Sequence, residues 1–297
     1  MTNGLTNTRK KQTKRARTFY KLYALGNDYI YFDCFLRGIN NPSALAVRLC
    51  DRRKSVGGDG VILIEKSEVA DAKMRIFNAD GSEAEMCGNG VRCVGKFLHD
   101  IKRLNKTSLS VETGAGIVQL QLFFNGDNQT KNVTVKLSAP QFSPEKIPVT
   151  LLPDNNGKIV ARSVQIGAKE LKITCVSVGN PHCVTFDKAA VGAFDTLGKQ
   201  IETAPIFPNR TNAEFVTVNA RNDFSVRVYE RGSGETSACG TGACAVAAAA
   251  IQNGLADKNT DIAVRMVGGV LTVKITDEAT YLTGEACFSY RGSIQTE

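Results

Sequence analysis

The sequence predicts an α+β protein built from two similar lobes. Strand patterns dominate, the helical segments are few, and the two do not alternate as they would in a parallel α/β sheet. One short motif, a cysteine followed by Gly-x-Gly and an apolar run, occurs at Cys87 and again at Cys239, 152 residues later. A fold that contains one structural unit twice accounts for both observations.

In the first half, apolar runs bounded by glycine turns predict strands. Residues 19–35 predict two strands joined by a Gly-Asn-Asp turn, and residues 43–53 predict a short helix after a proline. Further strands are predicted at 57–67 and 72–81, and antiparallel strands at 108–126 and 131–140.

The second half shows a similar series. Strands are predicted at 173–187, 212–220 and 224–232, with a helix near 192–204 between the first two. The second cysteine turn leads into a helix predicted at 243–253, and residues 263–290 predict a closing antiparallel meander.

The two halves also match in spacing. The motif LGND at 25–28 matches VGNP at 178–181, and its asparagine precedes the cysteine turn by 60 residues in the first half and 59 in the second. Asn78 and Glu230 each lie nine residues before a turn cysteine. This order indicates an ancient duplication, and an approximate two-fold axis between the lobes would bring both cysteine turns to one cleft.

Composition indicates a globular protein in the cytoplasm. Of 297 residues, 42% are hydrophobic and 22% are charged, which is ordinary for a folded protein of one large or two medium domains. No run approaches the ~18 apolar residues that span a bilayer. The N-terminus lacks the apolar run of a secretory signal. We therefore expect no membrane partner.

The net charge of +8 is concentrated at the N-terminus. Residues 1–21 hold seven basic residues and no acidic one, so the remaining 30 basic and 29 acidic residues nearly cancel. A nucleic-acid-binding protein would carry basic residues on a folded face. We therefore expect a disordered basic tail at residues 1–17 and no nucleic-acid partner.

The cysteines and histidines give no support for a metal site. Nine cysteines, an odd number without a secretory signal, argue against a disulfide framework. No Cys-x-x-Cys pair exists, and His99 and His182 are the only histidines. We expect His99 to lie at the end of a helix. Seven cysteines are expected to be small core residues, namely Cys34, Cys50, Cys93, Cys175, Cys183, Cys244 and Cys287.

Each cysteine turn should place its sulfur at the start of a helix. We expect the glycines to let the backbone curl, and the free N–H groups of the helix start to bind an anion such as a carboxylate. The same position should lower the pKa of the thiol from about 8.5. On opposite sides of one α-carbon, a thiolate could remove the proton and a thiol could return it, which inverts the carbon without a cofactor. The helix N–H groups would stabilise the enediolate-like charge.

Other interpretations of the turns remain open. A cysteine beside a glycine turn is often only a small residue in a tight place. The segment GTGACA also fits a dinucleotide-binding pattern, although the preceding strand ends ten residues before the turn. Cys87 and Cys239 could oxidise to a disulfide. His182 could activate one cysteine as a nucleophile, but the second turn would then have no role.

Taken together, the motifs resemble the diaminopimelate epimerase family, a cofactor-independent group related to proline racemase and PhzF-like proteins. The matching segments are LGND at 25–28, FNADGSEAEMCGNGVRC at 77–93, GNPHCV at 179–184 and YERGSGETSACGTGACA at 229–245. The resemblance covers nearly the whole chain after the tail. It implies two pseudo-symmetric lobes, each a curved, mostly antiparallel β-sheet or barrel around a central helix, and a homodimer.

The resemblance also implies the reaction and its residues. Cys87 and Cys239 would be the acid/base pair that converts LL-2,6-diaminopimelate to the meso form, a step toward lysine and cell-wall precursors. The implied helix-mouth donors are Gly88, Asn89, Gly240 and Thr241, the implied substrate contacts are Asn27, Asn78, Asn180, Asn212, Glu230 and Arg231, and His182 has a supporting role. Without the resemblance, the asparagines would be interpreted as turn or cap residues and the charged pair as a surface ion pair.

The chemistry agrees with a substrate that has two amino-acid ends. Arg231 can bind a carboxylate through two hydrogen bonds, and Glu230 can pair with an ammonium group. The alternatives are an epimerase or racemase of another amino acid, such as proline or hydroxyproline, and a basic-tailed binding protein on an inactive version of the fold. Deleting the tail would separate the last case, because only a binding protein should lose its function.

The chain departs from the family pattern at three positions. The family usually reads Lys-Met-His-Gly where this chain reads KLYA, so Tyr23 and Ala24 replace His and Gly, and Gly60 stands where some members carry a glutamine contact. We expect these changes to alter the shape of the substrate pocket and not the reaction. The predicted domains are an N-terminal lobe at 18–136 and a C-terminal lobe at 137–284, with a last strand at about 285–297 that returns to the first lobe.

Overall fold

The computed structural model of the chain describes residues 15–296. The predicted basic tail at 1–17 lies outside this range apart from residues 15–17, which form the start of the first strand. None of the helices within 15–296 is long and apolar enough to cross a membrane.

The first half contains nine strands and two helices. They are β1 (Arg15–Ala24), β2 (Asn27–Asp33), α1 (Pro42–Cys50), β3 (Gly60–Glu65), β4 (Ala72–Asn78), β5 (Glu83–Ala84), α2 (Gly88–Lys96), β6 (Ser108–Thr113), β7 (Gly116–Phe124), β8 (Thr130–Ser138) and β9 (Arg162–Ile166). A π-helical turn at Phe97–Ile101 extends α2, and a short 3₁₀ turn at Pro144–Lys146 precedes β9.

The second half repeats this series with one more helix. It contains β10 (Lys169–Ser177), β11 (Pro181–Thr185), α3 (Lys188–Val191), α4 (Phe194–Glu202), β12 (Asn212–Ala220), β13 (Asp223–Glu230), β14 (Gly234–Thr236), α5 (Gly240–Gln252), β15 (Ile262–Met266), β16 (Gly269–Ile275), β17 (Ala279–Glu285) and β18 (Cys287–Thr296).

Strand pairing follows the same pattern in both halves. Strands β1 to β8 pair in sequence, antiparallel except for the parallel pairs β2–β3 and β4–β6. Strands β10 to β17 repeat this with the parallel pairs β11–β12 and β13–β15. The predicted fold class, two pseudo-symmetric α+β lobes from a duplication, is confirmed.

Two contacts join the lobes into one continuous sheet. Strand β8 of the first half pairs antiparallel with β17 of the second. Strand β18 pairs antiparallel with β1 along nearly its whole length, so the last strand of the chain lies beside the first. Strand β9 occupies the corresponding place beside β10.

Each lobe is wrapped around one helix. In the first, Val91 and Val94 of α2 are buried with side chains of β1, β2, β6, β7 and β8. In the second, the alanine-rich segment of α5 from Ala243 to Ala250 is buried against β15 and β16. Alanine is the best helix former and its small side chain lets the strands approach closely, which explains why this helix can be buried on all sides.

Three predicted helix boundaries change. The helix predicted at 243–253 begins at Gly240, because the sulfur of Cys239 caps its first turn. The one predicted at 192–204 runs from Phe194 to Glu202 as α4, and a further short helix, α3 (Lys188–Val191), precedes it. The one predicted at 43–53 ends at Cys50, where Asp51 takes an extended backbone.

Candidate active site

Both turn cysteines cap the helix that follows them. The sulfur of Cys87 accepts a hydrogen bond from the Gly90 N–H at 3.3 Å, and that of Cys239 accepts one from the Gly242 N–H, also at 3.3 Å. A sulfur in this position satisfies one of the free N–H groups of a helix start. Each sulfur is therefore held at the positive end of its own helix.

The glycines of the turns act differently from our expectation. None of the four turn glycines has a positive φ, namely Gly88, Gly90, Gly240 and Gly242. The prediction that these turns need glycine's wider backbone range is therefore wrong. Close approach explains two of them. A Cβ atom at Gly90 would lie 2.8 Å from Ile62 Cδ1, and a Cβ atom at Gly242 would lie 3.1 Å from Glu214 Oε1.

The starts of the two helices lie side by side. A Cβ atom at Gly88 would lie 3.8 Å from Leu282 Cδ2, and one at Gly240 would lie 3.1 Å from the same atom. These two Cβ positions would therefore be at most 6.9 Å apart. The first residues of α2 and of α5 thus both lie beside the side chain of Leu282.

Around Cys87, polar side chains of β2 contact the sulfur. The Tyr29 hydroxyl donates to it at 3.6 Å, and the thiol can donate to Asn27 Oδ1 at 3.6 Å. Asn89 also donates to Asn27 Oδ1, and Asn27 Nδ2 donates to Asp59 Oδ2 at 2.6 Å. Burial and the neighbouring thiol raise the pKa of Tyr29. Its phenol therefore keeps its proton and remains a donor.

Around Cys239, a second polar network has a different composition. Thr241 Oγ1 lies 3.3 Å from the sulfur and accepts from Asn180 Nδ2 at 3.5 Å. Asn180 Oδ1 lies 2.9 Å from His182 Nε2, and His182 Nδ1 lies 2.6 Å from Glu214 Oε1. The predicted supporting residue His182 is therefore linked to Cys239 through two side chains.

The end of this network that lies farthest from Cys239 is fully buried. His182 and Glu214 have no exposed surface, and Glu214 Oε2 has no hydrogen-bond partner among the described residues. Burial raises the pKa of the Glu214 carboxyl, although the contact with His182 opposes the shift.

Cys239 does not behave as a helix start alone would predict. Its side chain is buried, and burial together with the carboxylate of Glu230 raises the pKa of the Cys239 thiol. The contacts from Thr241 and from the Gly242 N–H favour the thiolate but do not outweigh these effects. The prediction of a lowered pKa is therefore wrong for Cys239, because desolvation is larger than the effect of the helix start.

The residues predicted to bind the far end of a substrate lie at the end of β13. Glu230 accepts from the Thr236 hydroxyl at 2.5 Å, and Arg231 is exposed, with one guanidinium nitrogen donating to the Asn209 carbonyl. Asn212 accepts from the Arg231 N–H at 2.9 Å and donates to the Pro181 carbonyl. Asn212 is therefore buried and holds the backbone of this turn with both polar atoms of its amide.

Asn78 and Gly60 lie opposite one another in the β3–β4 pair. Asn78 donates to the Ser82 hydroxyl at 3.0 Å, and its side chain is half-buried. A Cβ atom at Gly60 would lie 2.5 Å from the Phe77 carbonyl oxygen, so this position cannot hold a longer side chain. Tyr23, another departure from the family pattern, lines a cavity of about 680 Å³ beside Gly26 and Asp28.

The structure adds four residues to the site that sequence reasoning missed: Tyr29, Asp59, Arg92 and Glu214. Tyr29 and Glu214 lie two residues after a predicted site asparagine on the same strand, so a period of two would have placed them on the same face. Arg92 lies inside the quoted motif at 77–93, but nothing in the sequence shows that it is buried.

The other cysteines fit the interpretation as packing residues. Cys93 and Cys244 are buried within their helices, and burial raises the pKa of each to about 12. Cys34, Cys50, Cys175 and Cys183 are also buried, while Cys287 is half-buried. His99 lies at the end of α2 as predicted and contacts Asp100 at 2.8 Å. Residues 15–296 contain no group of three His, Cys, Asp or Glu side chains that could hold a metal ion.

Comparison with known proteins identifies similar sequences over nearly the whole chain. A family model described as diaminopimelate epimerase matches residues 19–143 and 174–289. A diaminopimelate epimerase of Acetivibrio thermocellus is 45% identical over 281 residues, which cover 93% of this chain and 98% of that protein. A diaminopimelate epimerase of Methanococcus maripaludis is 41% identical, with 93% and 99% covered.

Solved structures share the fold at low sequence identity. A Bacillus anthracis protein of the PhzF family superposes with a TM-score of 0.64 at 19% identity, covering 94% of this chain and 99% of that one. A hydroxyproline epimerase of Agrobacterium vitis gives a TM-score of 0.64 at 17% identity, covering 95% and 93%. At this identity the likeness concerns the fold.

Proposed function

The chain belongs to the diaminopimelate epimerase family, and on that premise we propose that it inverts the α-carbon of LL-2,6-diaminopimelate to give the meso form. The observation that carries the chemistry is the pair of helix starts, each capped by a cysteine sulfur and both beside Leu282.

In the proposed reaction, the α-carboxylate binds between the two helix starts. The backbone N–H groups at Gly88, Asn89, Gly240 and Thr241, at the two helix starts, would stabilise the negative charge that develops on the carboxylate oxygens. One sulfur, as thiolate, takes the α-proton. The other, as thiol, gives its proton to the opposite face of the carbanion. After one turnover the protonation states of Cys87 and Cys239 are exchanged.

Each sulfur has donors that can stabilise its thiolate form. Cys87 has the Gly90 N–H and the Tyr29 hydroxyl, and Cys239 has the Gly242 N–H and the Thr241 hydroxyl. Matched donors are what a reversible inversion needs, because either sulfur must act as the base for one of the two stereoisomers. No cofactor enters this scheme.

The far end of the substrate is assigned to the turn at the end of β13. Arg231 is positioned through its backbone by Asn212 and presents an exposed guanidinium for the second carboxylate. Glu230 would pair with the second ammonium group. Asn78, at the corresponding end of β4 in the first lobe, is assigned a contact with the substrate from the opposite side, together with Asn27 and Asn180.

We also propose a homodimer in the cytoplasm, as the resemblance implies. Strands β1 and β18 carry exposed aromatic side chains at Tyr23, Phe288 and Tyr290, which would be covered in a dimer. Sedimentation equilibrium of the full chain tests this state, and a mass equal to one chain at micromolar concentration contradicts it.

The proposed reaction is tested by incubating the full chain with LL-diaminopimelate in deuterated water without added cofactor. We expect the meso form to appear with deuterium at the inverted carbon. Cys87→Ala and Cys239→Ala should each abolish the conversion. Cys287→Ala, a half-buried cysteine outside the site, is the matched control and should leave the rate unchanged.

Two outcomes contradict the proposal. Turnover of another amino acid with no conversion of LL-diaminopimelate would overturn the substrate. Full conversion by either alanine variant would overturn the two-cysteine mechanism while leaving the substrate assignment intact.

A further inference from the structure

The two lobes differ in one buried residue behind the cysteine turns. Five residues after Cys87 lies Arg92, and five residues after Cys239 lies Cys244. Arg92 is among the largest side chains with no exposed surface, and Cys244 is equally buried. The duplicated helices α2 and α5 therefore share their caps but not the charge in their second turn.

Arg92 carries this charge without a counter-ion. Its guanidinium donates to Asn89 Oδ1 at 2.6 Å and to the Glu285 carbonyl at 3.4 Å, and Nη1 has no partner among the described residues. No carboxylate within residues 15–296 forms an ion pair with it. An arginine keeps its proton inside proteins, so the positive charge is buried at a substantial energetic cost.

The fold makes room for this costly group. A Cβ atom at Gly284 would lie 3.1 Å from both Cζ and Nε of Arg92, so a side chain there would press on the guanidinium. Burial raises the pKa of Cys93, the next residue, and of Cys244 to about 12, so neither thiol supplies a negative charge at neutral pH.

Arg92 also fixes the direction of the hydrogen bonds beside Cys87. A guanidinium can only donate, so Asn89 must turn its oxygen toward Arg92 and its nitrogen toward Asn27. At the other end, the Asp59 carboxylate can only accept, so Asn27 turns its nitrogen toward Asp59 and its oxygen toward Cys87. Both amides are thus oriented by charged groups that have a single hydrogen-bonding role.

We propose that Arg92 is a positioning residue for the epimerisation: through Asn89 it helps to hold Asn27 with its oxygen toward the sulfur of Cys87. This inference rests on the proposed function. The second lobe has Cys244 at the position of Arg92, so the surroundings of Cys239 are ordered by other residues.

The test compares Arg92→Met, which removes the charge, with Arg92→Lys, which keeps it. The rate of alkylation of Cys87 by iodoacetamide at pH 7 is measured by peptide mass spectrometry, together with kcat and KM for LL-diaminopimelate. Cys287 in the same samples is the internal reference for reagent access. Arg265→Met, which removes an exposed arginine paired with Asp223, is the matched control.

For Arg92→Met we expect alkylation of Cys87 to slow by about fivefold or more, because the Asn27 oxygen is no longer held toward the thiol. We expect kcat to fall by about 10- to 100-fold with KM changed less than about threefold. For Arg92→Lys we expect alkylation within about threefold of wild type but a lowered kcat, because an ammonium lacks the planar donor fork. The control should match wild type in both measurements.

Wild-type alkylation of Cys87 in Arg92→Met would overturn the inference and leave a purely structural role. If that variant does not fold, Arg92→Gln replaces it, and equal alkylation rates in the Gln and Lys variants would overturn the inference. If wild type does not convert LL-diaminopimelate but Arg92→Met still slows alkylation, the proposed function fails and the placement of Arg92 behind Cys87 stands.

Discussion

The pair formed by His182 and Glu214 allows a prediction in which two substitutions at one position differ in their effect on stability. Glu214→Gln keeps a hydrogen-bonding partner for His182 Nδ1 and removes the charge. Glu214→Ala removes the partner as well. Both side chains have no exposed surface, and the two atoms are 2.6 Å apart.

The magnitude for the alanine variant follows from the lost contacts. Leaving a buried polar group unpaired costs about 1–3 kcal/mol, and removing one buried methylene costs about 0.8 kcal/mol. Glu214→Ala should therefore be about 2 to 4 kcal/mol less stable than Glu214→Gln.

The stability of the glutamine variant relative to wild type should depend on pH. Burial raises the pKa of Glu214 in the folded state. The protonated carboxyl therefore contributes to the free energy of unfolding. This contribution is fully present below the pKa of about 4.3 in the unfolded state and is lost as pH rises. Since glutamine does not titrate, the free energy of unfolding of Glu214→Gln should rise relative to that of wild type between pH 4 and pH 8.

Urea unfolding at several pH values measures both effects. Glu83→Ala is the control, because it breaks an exposed ion pair with Arg75 and should change stability by less than about 1 kcal/mol. Equal stability of the alanine and glutamine variants would refute the idea that His182 needs a buried partner. A free energy of unfolding of Glu214→Gln that falls relative to that of wild type as pH rises would refute the raised pKa.

Two further predictions concern packing and protonation. Gly60→Ala should lower the free energy of unfolding by about 1–3 kcal/mol in urea titrations, because its Cβ would meet the Phe77 carbonyl oxygen at 2.5 Å. The control Gly38→Ala, whose Cβ would have no atom within 4 Å, should change the free energy of unfolding by less than about 0.5 kcal/mol. Equal losses in the two variants would contradict the packing argument. Burial and Glu230 raise the pKa of the Cys239 thiol above its usual value of about 8.5. The alkylation rate of Cys239 in the free enzyme, measured by mass spectrometry, should therefore keep rising beyond about pH 9. A plateau of this rate below that pH would contradict the raised pKa.

The duplication could be predicted because equivalent motifs recur at nearly equal spacing along the chain. The recurrence of Asn27 and Asn180 at nearly equal distances before the two turn cysteines is a property of the chain alone. It predicted two similar lobes, whereas the parallel pairs that place β3 and β12 in equivalent positions are seen only in the structure. Helix ends were less accurate, because a sulfur cap at Cys239 adds a turn that apolar periodicity does not show.

Burial and long-range pairing could not be predicted in the same way. Arg92 and Glu214 look like ordinary charged residues in the sequence, and only the assembled sheets show that neither reaches solvent. The pKa of Cys239 was misjudged for the same reason, since the helix start is a local feature and desolvation depends on the whole lobe. The role of the turn glycines was also misjudged, because the neighbours that require a missing side chain, Ile62 and Glu214, lie on distant strands.

The central claim is that two sulfurs from opposite lobes act on one carbon, and a crystal structure of the enzyme with bound meso-diaminopimelate tests it most directly. We predict that the Sγ atoms of Cys87 and Cys239 lie on opposite faces of the same α-carbon, each within about 3.5 Å of it. A complex in which only one sulfur approaches that carbon, with the other facing protein or solvent, would contradict the account.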